Sequence, residues 1–114
     1  MARLSYIELP AQATGPVRDF YSTAFGFAFT DYGPDYSATT TGDVDIGLNA
    51  STDAPITFVL PIIQVDDLEA ALESVVTSGG TITVPIFAYP GGRRFHFKDP
   101  AGNELGVFVD ESSH

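Results

Sequence analysis

The sequence predicts an α+β fold: one domain over residues 1–114, in which a βαβββ unit occurs twice, in modules of about 1–54 and 55–110. Three observations predict it. Short runs with alternating apolar and polar residues, broken by Gly, Pro and Asp turns, fill most of the chain. Two stretches carry helical spacing instead. Each of those stretches follows one strand-like run and precedes three more.

In order, Leu4 to Leu9 reads as a strand, and Pro16 suits the first turn of a helix running to Phe25. Val17, Phe20, Tyr21, Ala24 and Phe25 recur there at helical spacing, which predicts a core-facing stripe, and Gly26 is placed to cap the end. Strand-like runs follow at Phe27–Tyr32, Tyr36–Thr40 and Val44–Asn49, separated by Gly33-Pro34-Asp35 and Thr41-Gly42-Asp43. In the last run Val44, Ile46 and Leu48 are expected against the helix, with Asp45, Gly47 and Asn49 opposite.

The second module opens with a strand at Ile56–Val65. Asp66 with Glu69 three residues on is a capping-box pattern. The helix it starts is expected to bury Leu68, Ala71, Leu72, Val75 and Val76 before Gly79-Gly80. Strands at Thr81–Val84, Arg94–Lys98 and Glu104–Val109 complete the module, and Asp110–His114 reads as a polar tail. The loop Ile86–Gly92 pairs aromatics with glycines and is expected to form an entrance flap. The final two strands form a hairpin around Asp99-Pro100-Ala101-Gly102-Asn103. Arg94, His96 and Lys98 share one face of it and Phe95 and Phe97 the other; Leu105, Val107 and Val109 alternate with Glu104, Gly106 and Phe108.

Composition narrows the function. A net charge of −10 repels phosphate backbones and argues against nucleic acid as a partner. With no cysteine there is no disulfide framework, thiolate metal site or cysteine nucleophile. No apolar run is long enough for a membrane span and the start lacks a signal-peptide pattern, so the expected address is the cytoplasm. Three of the five Lys+Arg residues, Arg93, Arg94 and Lys98, lie within six positions. That cluster either attracts an anionic ligand or pairs with surplus carboxylates.

The element order, with Asp19-Phe20-Tyr21 on a helix, Val65-Asp66-Asp67-Leu68, Gly79-Gly80 and the closing Asp99-Pro100-Ala101-Gly102-Asn103-Glu104-Leu105, resembles the vicinal-oxygen-chelate superfamily. That group includes glyoxalase I, bleomycin-resistance proteins, fosfomycin-resistance transferases and extradiol dioxygenases. The resemblance implies two modules forming a curved mixed sheet around a concave trough. It also implies metal ligands at four strand positions, which fall here at Tyr6, near Gly47, at Leu60 and at Gly106. Glycine and leucine offer no donor and neutral tyrosine is a poor one, so the expectation is no metal and no cofactor.

Strand parity then names the trough. Tyr6, Asp45, Leu60, Arg94, Glu104 and Phe108 are the expected ligand contacts, and Glu8 and His96 the candidates for proton transfer. Glu8 could instead pair with Arg94 or His96 and simply stiffen the site. A displaced metal on Glu8, Asp45, His96 and Glu104 is a further, rarer option. No Ser-His-carboxylate pattern or phosphate-binding glycine loop stands out. The functional expectation is a metal-independent protein that binds a small molecule in the trough; the alternatives are an isomerase or lyase using His96 and Glu8, and an assembly module with a vestigial trough. Ligand charge stays open. A homodimer is expected, because small curved sheets leave edges and apolar surface uncovered.

Overall fold

In a computed structural model of the chain, residues 2–52 and 56–111 are described. The elements run β1 (Arg3–Pro10), α1 (Thr14–Phe25), β2 (Phe29–Asp31), β3 (Tyr36–Thr39), β4 (Asp45–Asn49), β5 (Leu60–Gln64), α2 (Leu68–Thr77), β6 (Thr81–Tyr89), β7 (Gly92–Lys98) and β8 (Glu104–Asp110). The βαβββ order thus occurs twice, as the sequence predicts. The chain forms two units, Tyr6–Leu60 and Pro61–His114 together with Met1–Ser5. The expected module boundary at 54/55 lies outside the described residues. So does the expected tail from residue 112 on, while Asp110 closes β8.

In the Tyr6–Leu60 unit the strands follow the order β2-β3-β4-β1. β1 runs parallel to β4, with Tyr6 beside Asp45 and Glu8 beside Gly47. The pairs β2–β3 and β3–β4 are antiparallel. Helix α1 lies against β3 and β4. It ends at Gly26, whose φ of +74° is left-handed and whose N–H donates to the Ser22 carbonyl. Leu48 is fully buried, as expected. The aromatic stripe is not buried: Phe20 is 60% and Phe25 65% exposed, and Val44 is exposed too. Periodicity says which side chains share a face, but burial needs a partner, and strands of four and five residues offer little surface. The rings cover one another instead. Tyr21 meets Phe20 edge-on and stacks with Phe25 and Phe27.

The other unit follows the matching order β5-β8-β7-β6, with β5 parallel to β8 and the remaining pairs antiparallel. Its core is Leu68 of α2 with Phe95, Val107 and Val109, joined by Ile63, Val65, Ala71, Leu72, Val75, Ile82, Ile86 and Phe97. Val76, expected inside, is half exposed. β5 is shorter than the apolar run Ile56–Val65, because its ladder with β8 covers only Ile62–Gln64 and Phe58 and Val59 stay exposed. Asp67, not Asp66, caps α2 by accepting the Ala70 N–H at 3.0 Å. Glu69 completes no capping box; its carboxylate turns to Arg93.

The expected flap is a paired hairpin. β6 runs on to Tyr89 through Pro85, turns at Pro90-Gly91, and pairs Tyr89 with Gly92. β6 is the last strand in the order of its unit, so Pro85 can miss its N–H without breaking a ladder between two neighbours. The register slips twice along β6, between Ile82 and Val84 and again between Val84 and Phe87. Each slip sets one surplus residue in β6 against β7, the signature of a β-bulge.

Candidate ligand-binding site

The closing hairpin sorts its side chains as alternation predicts. Phe95 pairs with Val107 on the face under α2, so their neighbours, the pairs Arg94–Phe108 and His96–Gly106, occupy the reverse face. The predicted residues of this unit therefore share one surface: Arg94, His96, Phe108 and, across from Lys98, Glu104. Arg94 and His96 are each 6% exposed. A basic side chain is so deeply buried only where its surroundings replace lost hydration.

Part of those surroundings comes from β6. Phe87 pairs with Arg94, and the Arg94 guanidinium carbon lies 5.5 Å from the Phe87 ring centre and 5.8 Å from that of Tyr89. Both distances are within cation–π range. Phe87 also meets His96 edge-on, with ring centres 6.0 Å apart. The sequence places both aromatics in the expected flap; that they sit on β6 beside Arg94 was not readable, because Pro85 reads as the end of a strand. The three-cation cluster is split by the same alternation. Arg93 lies on the α2 side, bonded to Glu69 and Glu111, which raise its pKa further above the guanidinium norm.

His96 pairs with Gly106. A Cβ on Gly106 would stand 2.6 Å from Ile62 Cδ1, which would have to shift, and 3.4 Å from the imidazole Cδ2, an ordinary contact. The imidazole Nδ1 is 3.6 Å from Glu104 Oε2. That is long for a hydrogen bond but close enough for attraction once the ring is protonated. Glu104 does not face solvent at the turn. It is held by the Thr83 hydroxyl at 2.9 Å, from the first bulge of β6.

Glu8, Tyr6, Asp45 and Leu60 belong to the Tyr6–Leu60 unit. Glu8 is 1% exposed and accepts two hydrogen bonds, from Asn49 Nδ2 at 2.9 Å and from the Tyr36 hydroxyl at 3.3 Å. Gly47 makes this possible, since a Cβ there would lie 2.1 Å from the Tyr36 hydroxyl oxygen and 3.6 Å from Tyr6 Cδ2. Tyr36 pairs with Asn49 across β3 and β4, which strand parity alone would have indicated. Glu8 belongs to one unit and His96, the other member of the expected proton-transfer pair, to the other. Leu60 is buried at the start of β5.

Asp45 has another occupation. Its carboxylate accepts from the Thr39 hydroxyl at 2.7 Å, the Thr41 N–H at 2.8 Å, the Thr41 hydroxyl at 2.7 Å and the Gly42 N–H at 3.2 Å. Burial pushes its pKa up, but these four donors outweigh it and hold the carboxyl below its ordinary value. A carboxyl depressed in the folded state stabilises above its unfolded pKa, and the contribution goes as pH falls through the folded one. Asp45→Asn is therefore expected to lower stability at neutral pH. Below about pH 4 the difference from the parent should shrink, as urea denaturation across a pH series would show.

Of the four positions at which the resemblance implies metal ligands, Gly47 and Gly106 bring no side chain and Leu60 brings no donor; a Cβ at Gly47 would meet the Tyr36 hydroxyl, and one at Gly106 would meet Ile62 Cδ1. Among the described residues no group of three or more His, Asp or Glu could hold a metal ion. No helix among them is long and apolar enough to cross a membrane.

Residues 3–107 match the family model described as Glyoxalase/Bleomycin resistance protein/Dioxygenase superfamily. No curated protein sequence matches the chain. Solved structures share its fold at low identity. A glyoxalase/bleomycin resistance protein/dioxygenase superfamily member from Vibrio splendidus 12B01 is 19% identical at a TM-score of 0.71, over 96% of this chain and 99% of that one. A structure described as NAD-dependent benzaldehyde dehydrogenase from Legionella pneumophila is 14% identical at 0.78, over 93% and 98%. Methylmalonyl-CoA epimerase from Mycobacterium tuberculosis is 10% identical at 0.73, over 94% and 87%. Such different activities on one fold leave function to the site.

Proposed function

The chain belongs to the glyoxalase/bleomycin resistance protein/dioxygenase superfamily, and from that premise we propose that it binds a small molecule in the sheet trough without a metal ion. One observation carries this reading: the face of β7 and β8 away from the core gathers two buried cationic or titratable side chains among aromatic rings. Apolar walls with a few fixed polar groups are the usual make-up of a small-molecule site. The donor-poor positions Tyr6, Gly47, Leu60 and Gly106 support metal independence. A thermal-shift screen of a chemically broad library tests it, with elemental analysis of the same protein. A ligand that binds only the folded state raises its melting temperature, by about 2.7 kcal/mol of stability at a hundred times its Kd. The expected result is at least one such ligand and no stoichiometric transition metal. A bound metal, or an empty screen, would sink the proposal.

A second reading makes the protein an acid–base isomerase or lyase using His96 and Glu8. It is supported by the burial of both groups and by the carboxylate of Glu104 beside the imidazole. Turnover that His96→Ala abolishes while ligand binding persists would favour it. We further place the protein in the cytoplasm as a homodimer, for which the exposed Phe20, Phe25 and Phe27 are candidate contacts. Light scattering of the parent and of Phe25→Ser decides between dimer and monomer.

A further inference from the structure

We infer that Phe87 is a gate: its ring closes over Arg94 and His96 from the β6 side and swings outward to admit the ligand. The inference rests on the small-molecule reading above and adds the way in. Strict alternation would send Phe87 elsewhere. Val84 lies opposite His96, so on an even strand Ile86 would follow it on that face and Phe87 would turn toward α2. The second slip reverses this. Three positions on from Val84, Phe87 lies opposite Arg94, while Ile86 packs with the core under α2. Bulges at sheet edges re-aim single side chains, and this one sets an aromatic ring on the face that carries Arg94 and His96.

One ring then covers two buried groups. The Phe87 ring centre is 5.5 Å from the Arg94 guanidinium carbon and 6.0 Å from the centre of the His96 ring, at an interplanar angle of 71°. Tyr89 stands beside it with ring centres 6.3 Å apart and planes tilted by 52°, so the two rings do not lock in a flat stack. Contacts of these kinds are weak one by one, and thermal motion can overcome them.

The ring has room on its outer side. Among the described residues no strand lies beyond β6, and the nearby Pro85 and Ala88 are exposed and short. Phe87 itself is half-buried, so its ring borders solvent. The backbone on either side is tied down. Ile86 is packed against the core, and the Glu111 N–H donates to the Gly91 carbonyl at 2.8 Å. Motion therefore belongs to the χ angles of one side chain, with the strand as its fixed post. A ring that closes again behind a bound molecule would keep water from it.

The test needs no ligand. Fluorine NMR relaxation dispersion is measured with 4-fluorophenylalanine at position 87 and, for reference, at the fully buried position 95. Microsecond-to-millisecond exchange between two environments is expected at 87 and none at 95. Access is read separately, from the broadening of the carbon-bound ring protons of His96 by the neutral nitroxide 4-hydroxy-TEMPO. It should rise at least threefold in Phe87→Ala and fall at least twofold in Phe87→Trp, whose larger ring covers more. The amide resonances of β7 and β8 check that each variant is folded. Flat dispersion at 87 overturns the gate, and so does broadening that either folded variant leaves unchanged. If Phe87→Ala unfolds, the tryptophan variant and the fluorine label still decide. Either failure leaves small-molecule binding standing, because the library screen judges that reading by itself.

Discussion

Phe95→Ala is expected to cost about 3–5 kcal/mol, the range for emptying a buried phenylalanine site. Phe95 has no exposed surface and touches Leu68, Val107 and Val109, so the cavity would open between α2 and β7–β8 with little to collapse into it. Natural domains hold roughly 5–15 kcal/mol in all, so this is a large share. In urea, where the slope is about 1–3 kcal/mol per M, the midpoint should fall by about 1–5 M at an unchanged slope. Val76→Ala, on the exposed side of the same helix, should move it little. The neighbours of Phe95 along β7 are Arg94 and His96, so a loosened core should weaken any ligand of the opposite face as well.

Gly92→Ala should be nearly as damaging for the opposite reason. A Cβ at Gly92 would lie 2.2 Å from the Val109 carbonyl oxygen, which is backbone of the paired strand and cannot rotate aside. The φ of Gly92 is not in the left-handed region, so the whole effect comes from this contact. Overpacking of this kind costs about 1–3 kcal/mol, and the ladder must part where β7 begins. Hydrogen exchange at Gly92 and Asp110 should accelerate, and the Arg94 resonances should shift, since its position depends on that register. Gly15→Ala is the control. Its Cβ would meet only Arg18 Nη2 at an ordinary 3.7 Å, and inside a helix alanine is favoured over glycine.

What the sequence made legible was whatever depends on neighbours along the chain. Period-two alternation put Phe95, Val107 and Val109 on one side and Arg94, His96 and Phe108 on the other, as found. The turn at Asp99 was readable for the same reason. Its carboxylate accepts the N–H groups of Ala101 and Asn103 and the Asn103 amide, all within four residues.

What failed depends on contacts that local spacing does not encode. Phe20 and Phe25 have the spacing of core residues, yet the strands beneath α1 do not reach them. Pro85 reads as the end of a strand because nothing local reveals that β6 is terminal in its sheet. Phe87 and Tyr89 meet Arg94 through a β6–β7 register with two slips that local spacing does not reveal. Glu69 forms an ion pair 24 positions away instead of a capping box.

The paired bulges and the proline of β6 also bear on how copies of this protein behave when crowded. An incoming strand would find one donor missing at Pro85 and its remaining hydrogen-bond partners out of step twice within nine residues. Few surfaces are worse templates for fibril growth. The margin of this sheet therefore discourages self-stacking through irregular backbone rather than added charge. The purified protein under long storage should accumulate seeds more readily if Pro85 were replaced by threonine.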